Sequence, residues 1–262
     1  MSCVKIVVPW HNEEQITKFL LAWGTSFDDA RFVFQRDTHK EGCAKTKNAG
    51  IKTAMDQGAE TVIILDDDCF PETETNLNPV DDFIGAHLEA LQPVAVEMFK
   101  QVTSPPSRGT PYFNRTITLP VAASMGFWNE VPDYDAVHQL ALGATNPMQF
   151  DKAPIFGAYF PLCGMNLAFR PKDWLPWCNF VDVPRFDDIW QGFLWQKIAY
   201  AKGHCFNLGG PLVRHSRQSD VWANLRDESL NLKHNETVWQ KVHNSNLDNY
   251  ETALAAILHC LA

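Results

Sequence analysis

Apolar runs alternate with helical segments over the first 65 residues of this chain. The runs "VKIVVP", closed by Pro9, then "RFVFQ" and "TVIIL" have the largely apolar composition of strands in a parallel sheet that is covered on both faces. Between them, "EEQITKFLLAW" places Ile16, Phe19, Leu20 and Trp23 on one helical face, and "EGCAKTKNAGIKTAMDQGAE" predicts a second helix with Gly58 near its C-terminal end. This order predicts half of a doubly wound α/β fold.

Polar residues follow each of the three predicted strands. Sheets of this type bind ligands beyond the carboxyl ends of their strands, so these residues are expected to meet at one site. The chain has no GxGxxG after the first strand and no GxxxxGK[ST], which argues against a dinucleotide-binding Rossmann site and against a P-loop. The segments that converge are Pro9 to Asn12, Arg36 with Asp37, and Asp66 to Asp68.

Three adjacent carboxylates, Asp66, Asp67 and Asp68, end the third predicted strand. Like charges this close repel one another, and even partial burial adds a desolvation cost to each. In an extended chain Asp66 and Asp68 point the same way, so both could bind one hard divalent cation, Mn²⁺ or Mg²⁺. The alternative is a solvated acidic turn without a metal.

The charge balance restricts the partners of the chain. Its 262 residues include 22 Lys and Arg against 31 Asp and Glu, which gives a formal net charge of −9. A nucleic-acid backbone requires a basic surface, so such a partner is not expected, whereas a small anion held by a metal or by a few local cations is compatible with this charge.

The cysteines and the N-terminus bear on the compartment. The seven cysteines lack paired spacing, which favours reduced core thiols. The start "MSCVKIVVPWHNEE" lacks the apolar run of a signal peptide, and no apolar run approaches membrane-spanning length. These features predict a cytoplasmic protein without a membrane span.

The second half of the sequence has fewer regular patterns. Residues 101–120 contain four of the sixteen prolines and predict a loop, and "PLCGMNLAFRPKDW" predicts a strand. "DDIWQGFLWQKIAYAKG" predicts a helix with Ile189, Phe193, Gln196 and Tyr200 near one stripe, and "ETALAAILHCLA" predicts an amphipathic terminal helix.

Several motifs together resemble a known family. A parallel half-sheet that ends in Asp-x-Asp, with "VVPWHNEE" and "GCAKTKNAGI", resembles the glycosyltransferases of the GT-A superfamily. "LDDDCF", "ASMGFWNEVPDYDAVHQL", "FPLCGMNLAF", "RFDDIWQGFLWQK" and "GGPLVRHSRQSDVWANL" resemble, in the same order, the reversibly glycosylated polypeptides, a family that includes the UDP-arabinopyranose mutases. The similarity covers roughly residues 4–228.

The resemblance implies an architecture. The chain would form a single GT-A domain over residues 1–262, an α/β Rossmann-like fold with a mixed, mostly parallel central sheet and helices on both faces. Its parts would be a nucleotide-binding half (1–100), a sugar and acceptor half (101–228) and a C-terminal helical segment (229–262).

The resemblance also implies a role for two arginines. In the family, reversible glycosylation falls on an arginine, and "RGTPYFNR" keeps two arginines, the glycine and the proline at the family's spacing. The role carries over to Arg108, with Arg115 as its partner; the alternative is a surface loop with two solvated arginines. Whether Arg108 would hold the sugar covalently or act electrostatically stays open, because a guanidinium is protonated at ordinary pH.

The remaining candidates share the predicted edge of the sheet. One of Asp187 and Asp188 is expected to cap a helix, and the other to face the sugar or the arginine. His215 matches the late histidine that often completes the metal shell in GT-A enzymes. The predicted site residues are Arg108, Arg115, Asp187 and Asp188 as catalytic residues; Asp66, Asp68 and His215 as metal ligands; and Pro9, Trp10, His11, Asn12, Asp37, Lys45, Asn48, Asp67, Gly164, Asn166, Arg214 and Arg217 as substrate-binding residues.

The implied function is that of a UDP-sugar enzyme which interconverts UDP-arabinopyranose and UDP-arabinofuranose with Mn²⁺ or Mg²⁺ on the diphosphate. One alternative is a metal-dependent glycosyltransferase that passes the sugar from a UDP-sugar to an acceptor. A second alternative is a non-catalytic subunit that binds sugar nucleotides. A homo-oligomer is compatible with each of these functions.

Overall fold

In a computed structural model of the protein, a mixed β-sheet forms the centre of the chain, and helices pack against it. The structure describes residues 3–39, 41–72, 77–100, 104–108, 110–111, 113–131, 133–143, 152–216, 220–246 and 249–258. The strands are β1 (Val4–Trp10), β2 (Phe32–Arg36), β3 (Thr61–Leu65), β4 (Cys69–Pro71), β5 (Val94–Glu97), β6 (Thr116–Leu119), β7 (Val121–Glu130), β8 (Ala153–Ile155), β9 (Asn166–Phe169) and β10 (Cys205–His215). The helices are α1 (Glu13–Trp23), α2 (Cys43–Asp56), α3 (Pro79–Ala90), α4 (Ala136–Leu142), α5 (Pro171–Trp174), α6 (Asp187–Ala201), α7 (Val221–Asn244) and α8 (Tyr250–Leu258).

The main sheet contains two parallel units. Its strand order is β2-β1-β3-β9-β7-β10-β4, with β8 paired to β10. Strand β1 is parallel to β2 and β3, and β7 is parallel to β10, whereas β9 is antiparallel to both β3 and β7 and joins the units. Strands β5 and β6 form a separate antiparallel sheet.

The first unit follows the predicted order of strands and helices. In α1, Ile16, Phe19 and Trp23 are buried, as the helical spacing predicts. The Asn12 side chain accepts hydrogen bonds from the backbone N–H groups of Glu14 and Gln15 and so caps the first turn of α1. The strand predicted to close at Pro9 continues to Trp10, because Trp10 pairs with Arg36 at the end of the parallel ladder.

Helix α2 lies unusually close to β1. A Cβ atom added at Gly50 would come within 2.3 Å of a Val7 methyl carbon, so only glycine allows this separation. The close approach sets the depth at which side chains on the same helix enter the sheet edge.

The second half departs from its predictions in two places. The segment predicted as a loop over 101–120 contains β6, which leads through Pro120 into the amino end of β7. Helix α6 is not a one-sided amphipathic helix. Phe193 of the predicted stripe is buried, but so are Trp190, Leu194 and Trp195, which lie outside that stripe. The single-stripe prediction is wrong because α7 and α8 cover the outer side of α6. Among the described residues, no helix is long and apolar enough to cross a membrane.

Candidate active site

A cleft of about 1070 Å³ opens at the carboxyl ends of β1, β3 and β10. This is the edge at which the sequence predicts a site. The predicted site residues that line the cleft are Pro9, Trp10, His11, Asn12, Asp37, Asp66, Asp67, Asp68, Asp187, Asp188 and His215.

Lys47 stabilises the first of the three adjacent carboxylates. It projects from α2, is 3% exposed, and places its ammonium nitrogen 3.0 Å from Asp66 Oδ1. The ammonium also donates a hydrogen bond of 3.1 Å to the Gly164 carbonyl. Burial alone would lower the pKa of Lys47, but the surrounding carboxylates, Asp66 foremost, raise it well above its usual value. Lys47 therefore carries a fixed positive charge beneath the cleft, and Asp66 is its counter-ion.

Asp67 carries a carboxylate that the protein leaves partly unsatisfied. Its Oδ2 is buried and has no hydrogen-bond partner among the described residues. Burial, followed by the charges of Asp68 and Asp66, raises the pKa of Asp67 to about 7. Near neutral pH this side chain is therefore protonated in a substantial fraction of molecules.

Asp68 and His215 face each other at the ends of two paired strands. His215 Nε2 lies 3.4 Å from Asp68 Oδ2, and Nδ1 lies 2.8 Å from the Val131 carbonyl oxygen. A proton on Nδ1 donated to that carbonyl leaves the Nε2 lone pair directed at Asp68, which is how proteins orient a metal-binding imidazole. Burial opposes protonation, but Asp68 raises the pKa of His215 above its usual value.

These residues fit a hard divalent cation. A carboxylate oxygen and an imidazole nitrogen are suitable ligands for Mn²⁺, and a cation of this kind completes its shell with water and phosphate oxygens. Asp66 is less available than predicted, since Lys47 neutralises it. Within the described part of the chain no cluster of three or more His, Cys, Asp or Glu side chains has metal-binding geometry, so the protein would provide an open shell.

The two carboxylates that begin α6 differ in their contacts. Asp188 accepts hydrogen bonds of 2.8 Å from the backbone N–H groups of Gly164 and Ile189. Asp187 is 9% exposed, and its Oδ2 is buried with no hydrogen-bond partner among the described residues. Burial, followed by the charge of Asp188, raises the pKa of Asp187 to about 7. Asp188 thus holds the segment before β9 through Gly164, whereas Asp187 lines the cleft with a carboxylate oxygen that has no hydrogen-bond partner among the described residues.

Arg185 and Glu228 form a second ion pair at the cleft. The guanidinium Nη2 lies 3.0 Å from Glu228 Oε1, and Glu228 Oε2 accepts a hydrogen bond of 2.7 Å from the Ala136 backbone N–H. Arg185 has a backbone φ of 67°, a value that it shares with Glu130 and that few residues other than glycine adopt. The ion pair joins the turn before α6 to α7 and α4.

The cleft is strongly acidic. Among the described residues, eleven carboxylates line it against three Lys and Arg side chains. One of these three, Lys18, is exposed and pairs with Glu14. An anionic ligand would therefore need additional positive charge, which a divalent cation can supply.

Four of the residues predicted to bind the substrate do not line the cleft. Lys45 lies 3.3 Å from Asp182, and the Asn48 side chain bonds to both the N–H and the carbonyl of Phe180. Gly164 packs against the Phe180 ring and does not line the cleft.

Asn166 is the fourth of these residues, and it is fully buried. Its Oδ1 lies 2.8 Å from a ring nitrogen of His87, and its Nδ2 donates to the Phe127 and Pro211 carbonyls. The amide therefore serves the core between β9 and its neighbours.

The predicted arginines are likewise not gathered at the cleft. Arg108 is exposed, and Arg115 Nε donates a hydrogen bond of 2.7 Å to the Pro111 carbonyl. Their segment leads into the amino end of β7, whereas the cleft lies at the carboxyl end of that strand. Arg214 lies 3.7 Å from Glu130 Oε1, outside the cleft lining. Arg217 lies outside the described residues.

The sequence reasoning missed Lys47, Arg185 and Glu228. Lys47 stands between the two α2 residues that were chosen, and Arg185 stands directly before the predicted Asp187 and Asp188 region. A signal was present on α7, where Asn224, Glu228, Asn231 and Asn235 recur at helical spacing on one face.

Comparison with known protein families identifies the family of the chain. A family model described as "Reversibly glycosylated polypeptide" matches residues 55–258, which is more than half of the chain. The chain belongs to the reversibly glycosylated polypeptide family. The match begins within α2 and includes the three adjacent carboxylates, the loop arginines and His215.

Relatives of the chain include plant proteins of this family. A "Probable UDP-arabinopyranose mutase 1" from Pisum sativum is 29% identical over 181 residues, which are 64% of this chain and 50% of that protein. "UDP-arabinopyranose mutase 3" from Arabidopsis thaliana is 29% identical over 198 residues, 69% of this chain and 52% of that protein. The chain thus spans about half the length of these curated relatives.

A solved structure with a similar fold is a mannosyltransferase from Pyrobaculum calidifontis in complex with GDP-Man and Mn²⁺. It aligns with a TM-score of 0.50 and 14% sequence identity, over 98% of this chain and 69% of the mannosyltransferase chain. The likeness confirms the predicted fold class, a GT-A type Rossmann-like fold with a mixed central sheet.

Proposed function

We propose that this protein is a UDP-sugar enzyme of the mutase type, which interconverts UDP-arabinopyranose and UDP-arabinofuranose. The observation that carries the proposal is the Asp68–His215 pair, with 3.4 Å between its facing atoms, at the edge of an acidic cleft. The family membership and the names of the plant relatives support the same substrate class.

Asp68 and His215 would hold Mn²⁺ or Mg²⁺, and Asp66 would be held in place by Lys47. When bound, the cation would neutralise charge on the diphosphate as UDP leaves the sugar. On the other side of the cleft, Trp10 and Asp37 end β1 and β2 and would border the nucleoside. Asp37 is already positioned there, since its carboxylate accepts hydrogen bonds from the backbone N–H groups of Glu41 and Gly42.

Asp187 would carry the proton that the ring exchange requires. When the sugar ring opens and closes through a different hydroxyl, that hydroxyl loses a proton and the former ring oxygen gains one. A carboxyl group with a pKa of about 7 can accept and return a proton near neutral pH. Its buried Oδ2, without a hydrogen-bond partner among the described residues, is available for this exchange.

The roles of Arg108 and Arg115 stay predictions. Arg108 is exposed in the described part of its loop, and neither arginine lines the cleft, so a direct contact with the sugar would require this loop to move. Replacing Arg108 with Lys tests the role, because Lys keeps the charge and loses the planar fork. We expect ring interconversion to be lost while UDP binding survives; interconversion at the wild-type rate would remove Arg108 from the reaction.

A metal-dependent glycosyltransferase is the second candidate. The cleft volume of about 1070 Å³ slightly exceeds the range for small-molecule sites, which is about 300–1,000 Å³, so an acceptor could lie beside the UDP-sugar. The same side chains would then hold the nucleotide, and Asp187 would receive the proton of the acceptor hydroxyl.

One experiment separates these candidates. Pure protein is incubated with UDP-arabinopyranose and Mn²⁺, with and without oligosaccharide acceptors, and the products are separated by chromatography. The mutase proposal predicts that the furanose form appears without an acceptor. Product that appears only with an acceptor would favour the transferase, and Mn²⁺-dependent UDP binding without any product would indicate a non-catalytic subunit.

A further inference from the structure

The first half of α7 buries polar side chains where an amphipathic helix would bury apolar ones. Asn224, Glu228 and Asn231 are 4–7% exposed and lie one or two turns apart on the same face. Burying such groups is costly unless they are bonded, so this face needs polar partners. We call these three residues the polar face of α7.

The polar face holds the turn that carries Arg185. Asn231 Nδ2 donates a hydrogen bond of 3.0 Å to the Pro184 carbonyl, and Glu228 pairs with the Arg185 guanidinium. The turn also keeps Arg185 at a φ of 67°, which costs free energy for a side chain with a Cβ. One contact holds the residue before Arg185 and the other holds its guanidinium, and together they fix the direction of the side chain.

Part of this arrangement has hydrogen-bond donors to spare. Arg185 lines the cleft, its side chain is 27% exposed, and its Nε has no hydrogen-bond partner among the described residues. Asn224 is 7% exposed and lines the same cleft, and its buried Nδ2 likewise has no partner among the described residues. Arg185 and Asn224 therefore both have N–H groups without a partner among the described residues beside the cleft. An anionic ligand with several acceptor oxygens would accept hydrogen bonds from them.

We propose that Arg185 binds the β-phosphate of the nucleoside diphosphate, with Glu228 as the residue that positions its guanidinium. The inference rests on the proposed function and names the side chain at the leaving group. As the bond to the sugar breaks, negative charge grows on the β-phosphate. A guanidinium that is already oriented stabilises this charge without reorganisation. The polar face of α7 thereby holds the side chain that contacts the phosphate.

The test compares UDP with UMP, which lacks the β-phosphate. Calorimetry is run with Mn²⁺ on wild type, Arg185→Gln and the matched control Arg226→Gln, an exposed arginine on α7 that is also paired with a carboxylate. A hydrogen bond between charged groups corresponds to a loss of about tenfold or more in affinity, so Arg185→Gln should weaken UDP binding by at least that factor and leave UMP binding within about twofold. Arg226→Gln should match wild type for both nucleotides.

A second variant guards against misfolding. Arg185→Gly removes the same guanidinium and accepts the positive φ, so it should reproduce the selective loss of UDP affinity. Glu228→Gln keeps an acceptor for Arg185. It should lose less UDP affinity than the Arg185 variants, and its UMP affinity should again change little.

Two results would overturn the assignment. Wild-type affinity for UDP in both Arg185 variants would show that the guanidinium does not contact the β-phosphate, and equal losses for UDP and UMP would show a general effect on the cleft. In either case the proposed function would stand. If the wild-type protein binds neither nucleotide with Mn²⁺, the proposed function fails and this inference fails with it.

Discussion

The two walls of the cleft are built by different means. One wall consists of strand ends: Asp66, Asp67 and Asp68 follow β3, and His215 ends β10. The other consists of a strained turn and a helix, in which Arg185 is held by Glu228 of α7. Strand geometry places the first set of side chains, whereas buried ion pairs and hydrogen bonds place the second. The first wall therefore depends on the sheet, and the second depends on individual polar contacts.

The largest effect is expected at the proposed metal ligand of the strand wall. Asp68→Ala should abolish Mn²⁺-dependent UDP binding and lower turnover by a factor on the order of 10³ or more, since it removes one of the two side chains that would hold the cation. Titration calorimetry with and without Mn²⁺ measures the binding. Asp56→Ala, at an exposed position on α2, is the control. Unchanged metal-dependent affinity in Asp68→Ala would remove Asp68 from the site.

The next effect concerns Lys47, which ties the strand wall to α2. Lys47→Met keeps the stem and removes the charge, so the partly buried Asp66 loses its counter-ion; we expect about 1–3 kcal/mol of lost stability at pH 7. Urea denaturation measures the change. Lys45→Met, two residues away and exposed, should cost less than about 1 kcal/mol. A loss as small for Lys47 as for Lys45 would mean that Asp66 does not depend on this pair.

A third prediction concerns the pH dependence of the strand wall. The pKa of Asp67 is raised to about 7, so the folded state disfavours its charged form. The resulting loss in the free energy of unfolding is absent below the unfolded-state pKa of about 4 and grows as the pH rises to 7.

Asp67→Asn should therefore raise the stability of the metal-free protein at pH 8 by about 1–3 kcal/mol and change it little at pH 4. Denaturation curves in chelator at the two pH values measure the difference. An equal gain at both pH values would point to packing and not to charge.

The smallest effect compares two residues with the same backbone strain. Glu130→Gly relieves a φ of 67° at the price of a weak surface contact with Arg214 at 3.7 Å, and should stabilise the protein by about 0.5–1 kcal/mol. Arg185→Gly relieves the same φ but leaves Glu228 buried without its partner, and should not stabilise. Thermal unfolding measures both. A gain of equal size in the two variants would show that the Arg185–Glu228 pair contributes nothing to the fold.

The sequence predicts the strand wall much better than the helix wall. Apolar runs that end in polar residues identify β2 and β3, and parallel topology then brings Asp37 and Asp66 to one edge. The choice of Lys45 and Asn48 on α2 placed the wrong face of the helix at this edge. The few apolar residues of α2 define its buried side weakly, and a buried lysine such as Lys47 is rare.

The helix wall and the core beside β9 both depend on contacts between residues that are far apart in the sequence. Glu228 meets Arg185 across 43 residues of sequence, and Asn166 meets His87 across 79. In the sequence, a buried amide or carboxylate looks the same as an exposed one until its partner is known, which explains why the sequence predicts Asn166 as a substrate-binding residue. The assignments of Arg108 and Arg115 came from family resemblance alone, and the structure gives them no cleft contact.

The hydrogen bond from Lys47 to the Gly164 carbonyl has a consequence for the order of folding. It joins residues 117 positions apart, and closing a loop of that length costs conformational entropy before the contact forms. The β1–α2–β3 unit can assemble from shorter-range contacts, but the floor of the cleft requires β9 to arrive beside β3. A nascent chain would therefore build its nucleotide-side strands first and complete the cleft only after His215 and Glu228 have been synthesised.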